Sequence, residues 1–375
     1  MSRGGLAALV LLLVARRAAA QDFATQVLEF APAPGQLVNA AAYNDPARAL
    51  GPPAGGGPSA ADNTKLVTLG GFGGSITLGF AAPVRDDARN PLGMDLIVFG
   101  NAFYVGGAPW RRFAECATIE VSRDDNANGL PDDPWYVIPG SHLGPVPAAH
   151  QHTQTWDSNA ADPTFPPASP LWIPAGQSGT WTTSGYLLSG PAFVTWPVLE
   201  NAGGPDAAAE SLWGCADLSP VLALGDTDAN GAVDDPGLDP GAFYTRPDDP
   251  HAVGLTPGSG GGDAVDLAAA VDPATGAPAG LQEAHFVRLR TALHVVHPLL
   301  GEASTEVGGV ARVRPVLRAD FSGDGAVTTA DITAFLSAWF GDVTTGGTGT
   351  DFDADGAVDA GDVSAFLVVW FQEAG

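Results

Sequence analysis

Four acidic stretches of this chain place oxygen-bearing side chains at alternate positions around a glycine. They read DDNANGLPDDP (124–134), DTDANGAVDDP (226–236), DFSGDGAVTTAD (320–331) and DFDADGAVDAGD (351–362). Oxygen ligands at loop positions 1, 3, 5, 7, 9 and 12, with glycine at the sharp turn of position 6, are how a chain wraps calcium. The third stretch offers Asp320, Ser322, Asp324, the Ala326 carbonyl, Thr328 and Asp331. The fourth offers Asp351, Asp353, Asp355, the Ala357 carbonyl, Asp359 and Asp362. These are hard oxygen ligands with no cysteine or histidine among them, a set that suits calcium better than zinc.

The first two stretches are less complete. One offers Asp124, Asn126, Asn128, the Leu130 carbonyl and Asp132 or Asp133; the other offers Asp226, Asp228, Asn230, the Ala232 carbonyl and Asp234 or Asp235. Position 12 is Trp135 in one and Gly237 in the other, so the bidentate carboxylate is missing. Pro134 and Pro236 oppose an exit helix. A metal-free Asx-rich strand connector also fits this pattern. The spacing shared by two independent loops favours calcium.

Each of the last two loops must run into a helix. Ile332, Phe335, Leu336 and Trp339 recur at i, i+3, i+4 and i+7, as do Val363, Phe366, Leu367 and Trp370. Residues 320–340 and 351–371 are therefore an internal repeat, and two such apolar stripes can pack on each other. So small a core leaves much of the folding energy to bound calcium. Residues 319–375 resemble a type I dockerin, a duplicated calcium-loop-and-helix module. Aspartate at position 12, where an EF-hand usually has glutamate, fits that family. The resemblance implies docking onto a cohesin-like partner, commonly in assemblies that degrade polysaccharide. Ser322 departs from the family's usual Asp or Asn. Thr329-Ala330 and Ala360-Gly361 lack distinctive side chains at positions that often choose the cohesin.

Between Gln21 and about Arg318, short apolar or alternating runs are separated by Gly, Pro, Asn and Asp. Examples are LVTLGG (66–71), SITLGF (75–80), MDLIVFGNAF (94–103), ATIEVSRD (117–124), WYVIPG (135–140) and FVRLRTALHVV (286–296). These read as strands, and only DAVDLAAAV (263–271) reads as a short helix. The expected fold class is mainly β: a jelly-roll or β-sandwich domain over 21–318 and a small α-helical module over 319–375. The run from Ala49 through SITLGF, then DLIVFGNAF, IEVSRDDNANGLPDDPWYVIPGS, GGGDAVDLAAAVDP and GEASTEV, resembles a broad group of bacterial cell-surface proteins. That resemblance implies a galactose-binding-like jelly roll on a surface or secreted protein, and it carries over no catalytic residue.

Compartment and charge agree with this. MSRGGLAALVLLLVARRAAAQ has an early arginine, a short apolar run and a small-residue tract, which predicts a signal peptide over 1–20 and a secreted or cell-surface location. The run is too short to span a bilayer and no other stretch is apolar enough, so no membrane insertion is expected. Asp and Glu number 42 against 16 Lys and Arg, and a net charge of −26 argues against nucleic acid. Cys116 and Cys215 are the only cysteines, and in an exported chain they most simply form one disulfide. Such a bond would join the strands leading into the first two acidic loops and set both loops at one end of the sandwich, or be a buried staple without bearing on them.

Other residues carry less. Trp156, Trp172, Trp181, Tyr186 and Trp196 could stack on sugar rings, or simply cover the sandwich in a packed insertion, which is the better reading for any one of them. His150, His152, His294 and His297 suggest no three-ligand metal site. No G-x-S-x-G, H-E-x-x-H or G-K-[ST] motif is present. Glu115, Glu120, Glu210 and Glu306 lie in strand-like settings, and no spacing pairs them as a glycosidase would need. The reading is thus a non-catalytic recognition or structural protein with calcium as its cofactor. A dockerin-bearing glycoside hydrolase or lyase is the alternative.

Overall fold

Strand alternation builds the larger part of the molecule. The computed structural model describes residues 22–147, 151–157, 171–188, 198–200, 213–293, 296–297, 301–323 and 326–374. The described residues fall into two compact units, one ending at Val313 and one running from Arg314. The segment expected to be a signal peptide lies outside them, as do Asp324, Gly325, Trp196, His150, His294 and Glu210.

The larger unit is mainly β, as expected. Its principal strands are β1 (Gln26–Ala31), β2 (Ser75–Arg85), β3 (Leu96–Phe99), β4 (Ala117–Ser122), β5 (Trp135–Val137), β6 (Cys215–Ala216), β7 (Asp263–Val265), β8 (Glu283–Thr291) and β9 (Gly309–Arg312). β1, β2, β8, β4 and β6 lie side by side in that order, with β5 also paired to β4; β7, β3 and β9 form a second sheet. All these pairings are antiparallel.

Alternation then decides the core. Ile76, Leu78, Ile119, Val121, Val287 and Leu289 of the larger sheet share one buried cluster with Leu96, Val98, Val265 and Val310 of the smaller. Ile97, Phe99, Ala264 and Ala311 point the other way, into a cluster with Val221, Leu222, Phe243 and Tyr244. β3 is thus buried on both faces, which is why it reads as an unbroken apolar run. On the opposite face of the larger sheet, Glu120 takes ion pairs from Arg288 and Arg290, and the Arg288 guanidinium lies 4.1 Å from the centre of the Trp135 ring.

The expected helix needs correction. DAVDLAAAV is not a helix: Asp263–Val265 pairs with β3, and only Leu267–Ala269 makes a 3-10 turn. Ala264 faces one cluster and Val265, Leu267 and Ala270 the other, so burial on both faces overrides alanine's helix propensity. Trp156 and Tyr186 follow the packed reading, the better one for these aromatics, rather than the sugar-stacking one. They are buried with Phe72 beneath the hairpin Gln151–Asp157/Thr180–Leu187.

Cys116 and Cys215 form a disulfide. It joins the start of β4 to β6, where Cys215 lies opposite Thr118. Because the pairing is antiparallel, the chain leaves Cys215 away from the end of β4 that carries loop 124–134. That loop meets β8, where the Asp124 N–H donates to His285 Nδ1 at 3.2 Å. Loop 226–236 instead meets Gly258, whose N–H donates to the Thr227 carbonyl.

The smaller unit pairs two helices, α1 (Thr329–Thr345) and α2 (Ala360–Glu373). Phe335 and Phe366, one from each repeat, are both fully buried and stack with centroids 4.1 Å apart. The tryptophans exchange bonds across the pair. Trp339 Nε1 donates to the Asp359 carbonyl and Trp370 Nε1 to the Thr328 carbonyl, each at 2.8 Å. Each helix therefore holds the position-9 backbone of the other repeat's loop.

Candidate functional site

The three fully described loops share one backbone scaffold. In each, the position-6 N–H donates to the position-1 carboxylate: Gly129 to Asp124, Gly231 to Asp226 and Gly356 to Asp351, at 2.8, 3.0 and 3.0 Å. The position-7 N–H donates to the position-5 oxygen in all three, Leu130 to Asn128, Ala232 to Asn230 and Ala357 to Asp355. Position 4 is left-handed, with φ of 55° at Ala127, 60° at Ala229 and 60° at Ala354; Gly323 of the remaining loop, at 73°, agrees. This coil turns the side-chain oxygens inward. Asp226, Asp228 and Asp234 each bring an oxygen within 4.8 Å of the others, and so do Asp351, Asp353 and Asp355. Asp351 Oδ1 is buried without a hydrogen bond.

The loops differ in how they close. In the tail, position 12 is buried and caps a helix. Asp362 accepts from the N–H groups of Phe352, Asp353 and Asp359, and Asp331 from those of Ser322 and Thr328. Burial would raise both carboxyls, and these hydrogen bonds outweigh it and lower them. In the larger unit a nearer carboxylate reaches the position-2 N–H. Asp133 accepts from Asp125 at 3.0 Å, and Asp234 from Thr227 at 3.1 Å. Asp132 accepts from the Asn126 and Asn128 amides, and Asp235 from the Gly237 N–H. These closures end in Pro134 and Pro236 rather than in helices.

A second cluster was not legible in the sequence. Glu115, Asp217 and Glu306 each bring an oxygen within 4.8 Å of the others. Glu115 and Glu306 line a cavity of about 190 Å³ together with Tyr43, Asn63, Asn101 and Phe113. Asp217 accepts from the N–H groups of Asn101, Ala102 and Glu306, and Glu115 from that of Ser304. Thr68 Oγ1 donates to one oxygen of Glu306, and the other is buried with no donor. Among the described residues no basic side chain forms an ion pair with the three. Burial raises all three carboxyls, and the charge of Asp217 adds to this at Glu115, those of Glu115 and Asp217 at Glu306. With oxygens within 4.8 Å of one another, these buried carboxyls favour holding protons. Glu115 and Glu306 are 191 residues apart in sequence, and no local spacing announces such a pair. Glu120, by contrast, is an ion-pair partner on the sheet.

Comparison of the chain with protein-family models and with curated proteins finds no match in either. Among the described residues no helix is long and apolar enough to cross a membrane.

Proposed function

We propose that this is an exported, calcium-binding protein of the cell surface or extracellular space, whose dockerin-like tail docks onto a cohesin-like partner protein. The observation that carries the reading is the tail loop 351–362: three convergent aspartates, a buried and unbonded Asp351 oxygen, and a helix fastened to the loop by Asp362. Oxygen ligands on a coil of this kind select calcium. Docking is supported by apolar side chains on the helices. Phe340 and Phe371 occupy equivalent positions of the two repeats and are 62 % and 75 % exposed, with Val343 and Val368 also exposed. The larger unit is read as a jelly roll of the galactose-binding-like kind, a non-catalytic recognition or structural element whose ligand class is polysaccharide.

The test is a pull-down from the producing organism's envelope extract. The full chain and a chain ending at Val313 are each compared in calcium and in EDTA. A partner protein retained only by the full chain in calcium supports docking. Equal retention by both chains overturns it.

A second reading, a polysaccharide-cleaving enzyme, draws on the Glu115/Glu306 pair. Its geometry disfavours glycoside hydrolysis. Retaining enzymes hold their carboxyls about 5–5.5 Å apart and inverting ones further, whereas oxygens of these two lie within 4.8 Å of each other. Reducing-sugar release lost in Glu115→Gln would restore the enzyme.

A further inference from the structure

A buried imidazole lies against the disulfide. His142, Cys116 and Cys215 are 2 %, 0 % and 1 % exposed, and a ring nitrogen and the two sulfurs lie within 4.8 Å of one another. Among the described residues neither ring nitrogen makes a hydrogen bond. The Trp213 carbonyl acts on the ring but already accepts from Ser141 N at 3.0 Å and Ser141 Oγ at 3.3 Å. A neutral imidazole in this buried place keeps a lone pair that no donor among the described residues uses. The surroundings are apolar: Ala114, Leu218, Leu293 and Ala303. An unbonded polar group in such a pocket destabilises the fold, and an aliphatic side chain would fill the space without that cost.

We propose that Cys116, Cys215 and His142 form a zinc site in the reduced protein, which the disulfide closes. A dithiol reductant supplies two electrons and two protons, giving two Cys–SH groups and its own cyclic disulfide. Zinc then displaces both thiol protons, and the imidazole nitrogen donates its lone pair as the third ligand. Two thiolates, one dication and a neutral imidazole sum to zero charge. That matches the pocket, as does the neutral disulfide, whereas monovalent copper with the same ligands would bury a net negative charge. Zinc–sulfur and zinc–nitrogen bonds of about 2.3 and 2.0 Å require only that the two sulfurs part around the ion. Three protein ligands leave the fourth tetrahedral position open. His142 thus lies where either state of the cysteines can be accommodated.

The test uses the full chain made under reducing conditions, with calcium present to occupy carboxylate loops, titrated with Co2+ as a spectroscopic substitute for zinc. The reduced chain should take up about one equivalent with thiolate-to-cobalt charge-transfer absorption and release it to zinc. The oxidised chain should show no such band. His142→Leu should weaken reduced-state binding more than about tenfold, while the oxidised variant melts no lower than the native chain; His142→Gln gives the same readout should leucine prevent folding. Absence of the charge-transfer band in the reduced native chain overturns the site. So does native affinity in the His142 variants.

Discussion

The loops of the tail and those of the larger unit share a coil and differ in what stands behind it. Behind loop 351–362 is a helix whose first turn is capped by the loop's own Asp359 and Asp362. That helix packs on its twin around a small cluster in which only Ala319, Phe335 and Phe366 are fully buried among the described residues. Behind loops 124–134 and 226–236 are strands and turns already fixed by two large apolar clusters and a disulfide. On the proposed reading, calcium bound in the tail would be a folding element. Calcium bound in the larger unit would be an addition to a fold already held by its core.

Removing divalent cations should separate the two most sharply. In EDTA, amides of α1 and α2 should lose nearly all protection from hydrogen exchange, while those of β4 and β8 keep theirs. Exchange with mass-spectrometric readout on the full chain decides this. Helices that stay protected would place the tail with the larger unit and remove calcium from its folding.

Response to pH should differ in sign. Burial raises Asp263 to about 8 and Asp95 to about 6 in the larger unit. A carboxyl with a higher pKa folded than unfolded holds its proton more tightly when folded. Its contribution is complete below the unfolded value of about 4 and is lost as pH rises toward the folded one. In cation-free buffer the chain ending at Val313 should therefore require less urea to unfold at pH 8 than at pH 5. Asp263→Asn, which cannot ionise, should flatten that slope. In the tail, Asp331 and Asp362 are lowered, so their contribution is present above about 4 and is lost as pH falls through the folded value. Helicity of residues 314–375 in calcium should accordingly fall on acidification. Parallel slopes for the two units would remove the distinction.

What the sequence discloses follows the range of the contacts involved. The coil of each loop is made by bonds two to five residues apart, Asp351 to Gly356 for example, so the D-x-D-x-D-G spacing shows it directly. Helix stripes with a period near four are equally local, and so are the alternating runs that became β2, β4 and β8. Residues 263–271 misled because alanine suits a helix, while the demand that placed them, pairing of Asp263–Val265 with β3, comes from residues about 165 positions away. The cluster of Glu115, Asp217 and Glu306 failed to show for the same reason. Its members come from three distant segments, and only the fold makes them neighbours. Asp133 and Asp234 reaching the position-2 N–H was hidden because a missing position 12 draws attention away from an acid two or three residues nearer.

The smallest expected effect tests the shared coil itself. Alanine in the left-handed region costs about 1–2 kcal/mol, and glycine there forfeits about 0.5–1 kcal/mol of chain entropy instead. Ala354→Gly and Ala229→Gly should each therefore gain on the order of 0.5 kcal/mol, and the gain should surface in different measurements. In the tail, if folding and binding are one event as proposed, it should appear as calcium affinity roughly doubled, since 1.4 kcal/mol is tenfold. In the larger unit, where the coil stands before the ion arrives, it should appear as a small rise in melting temperature that persists in EDTA. A gain in EDTA for Ala354→Gly would mean that the tail coil also forms without calcium. The two regions would then differ only in how their loops close.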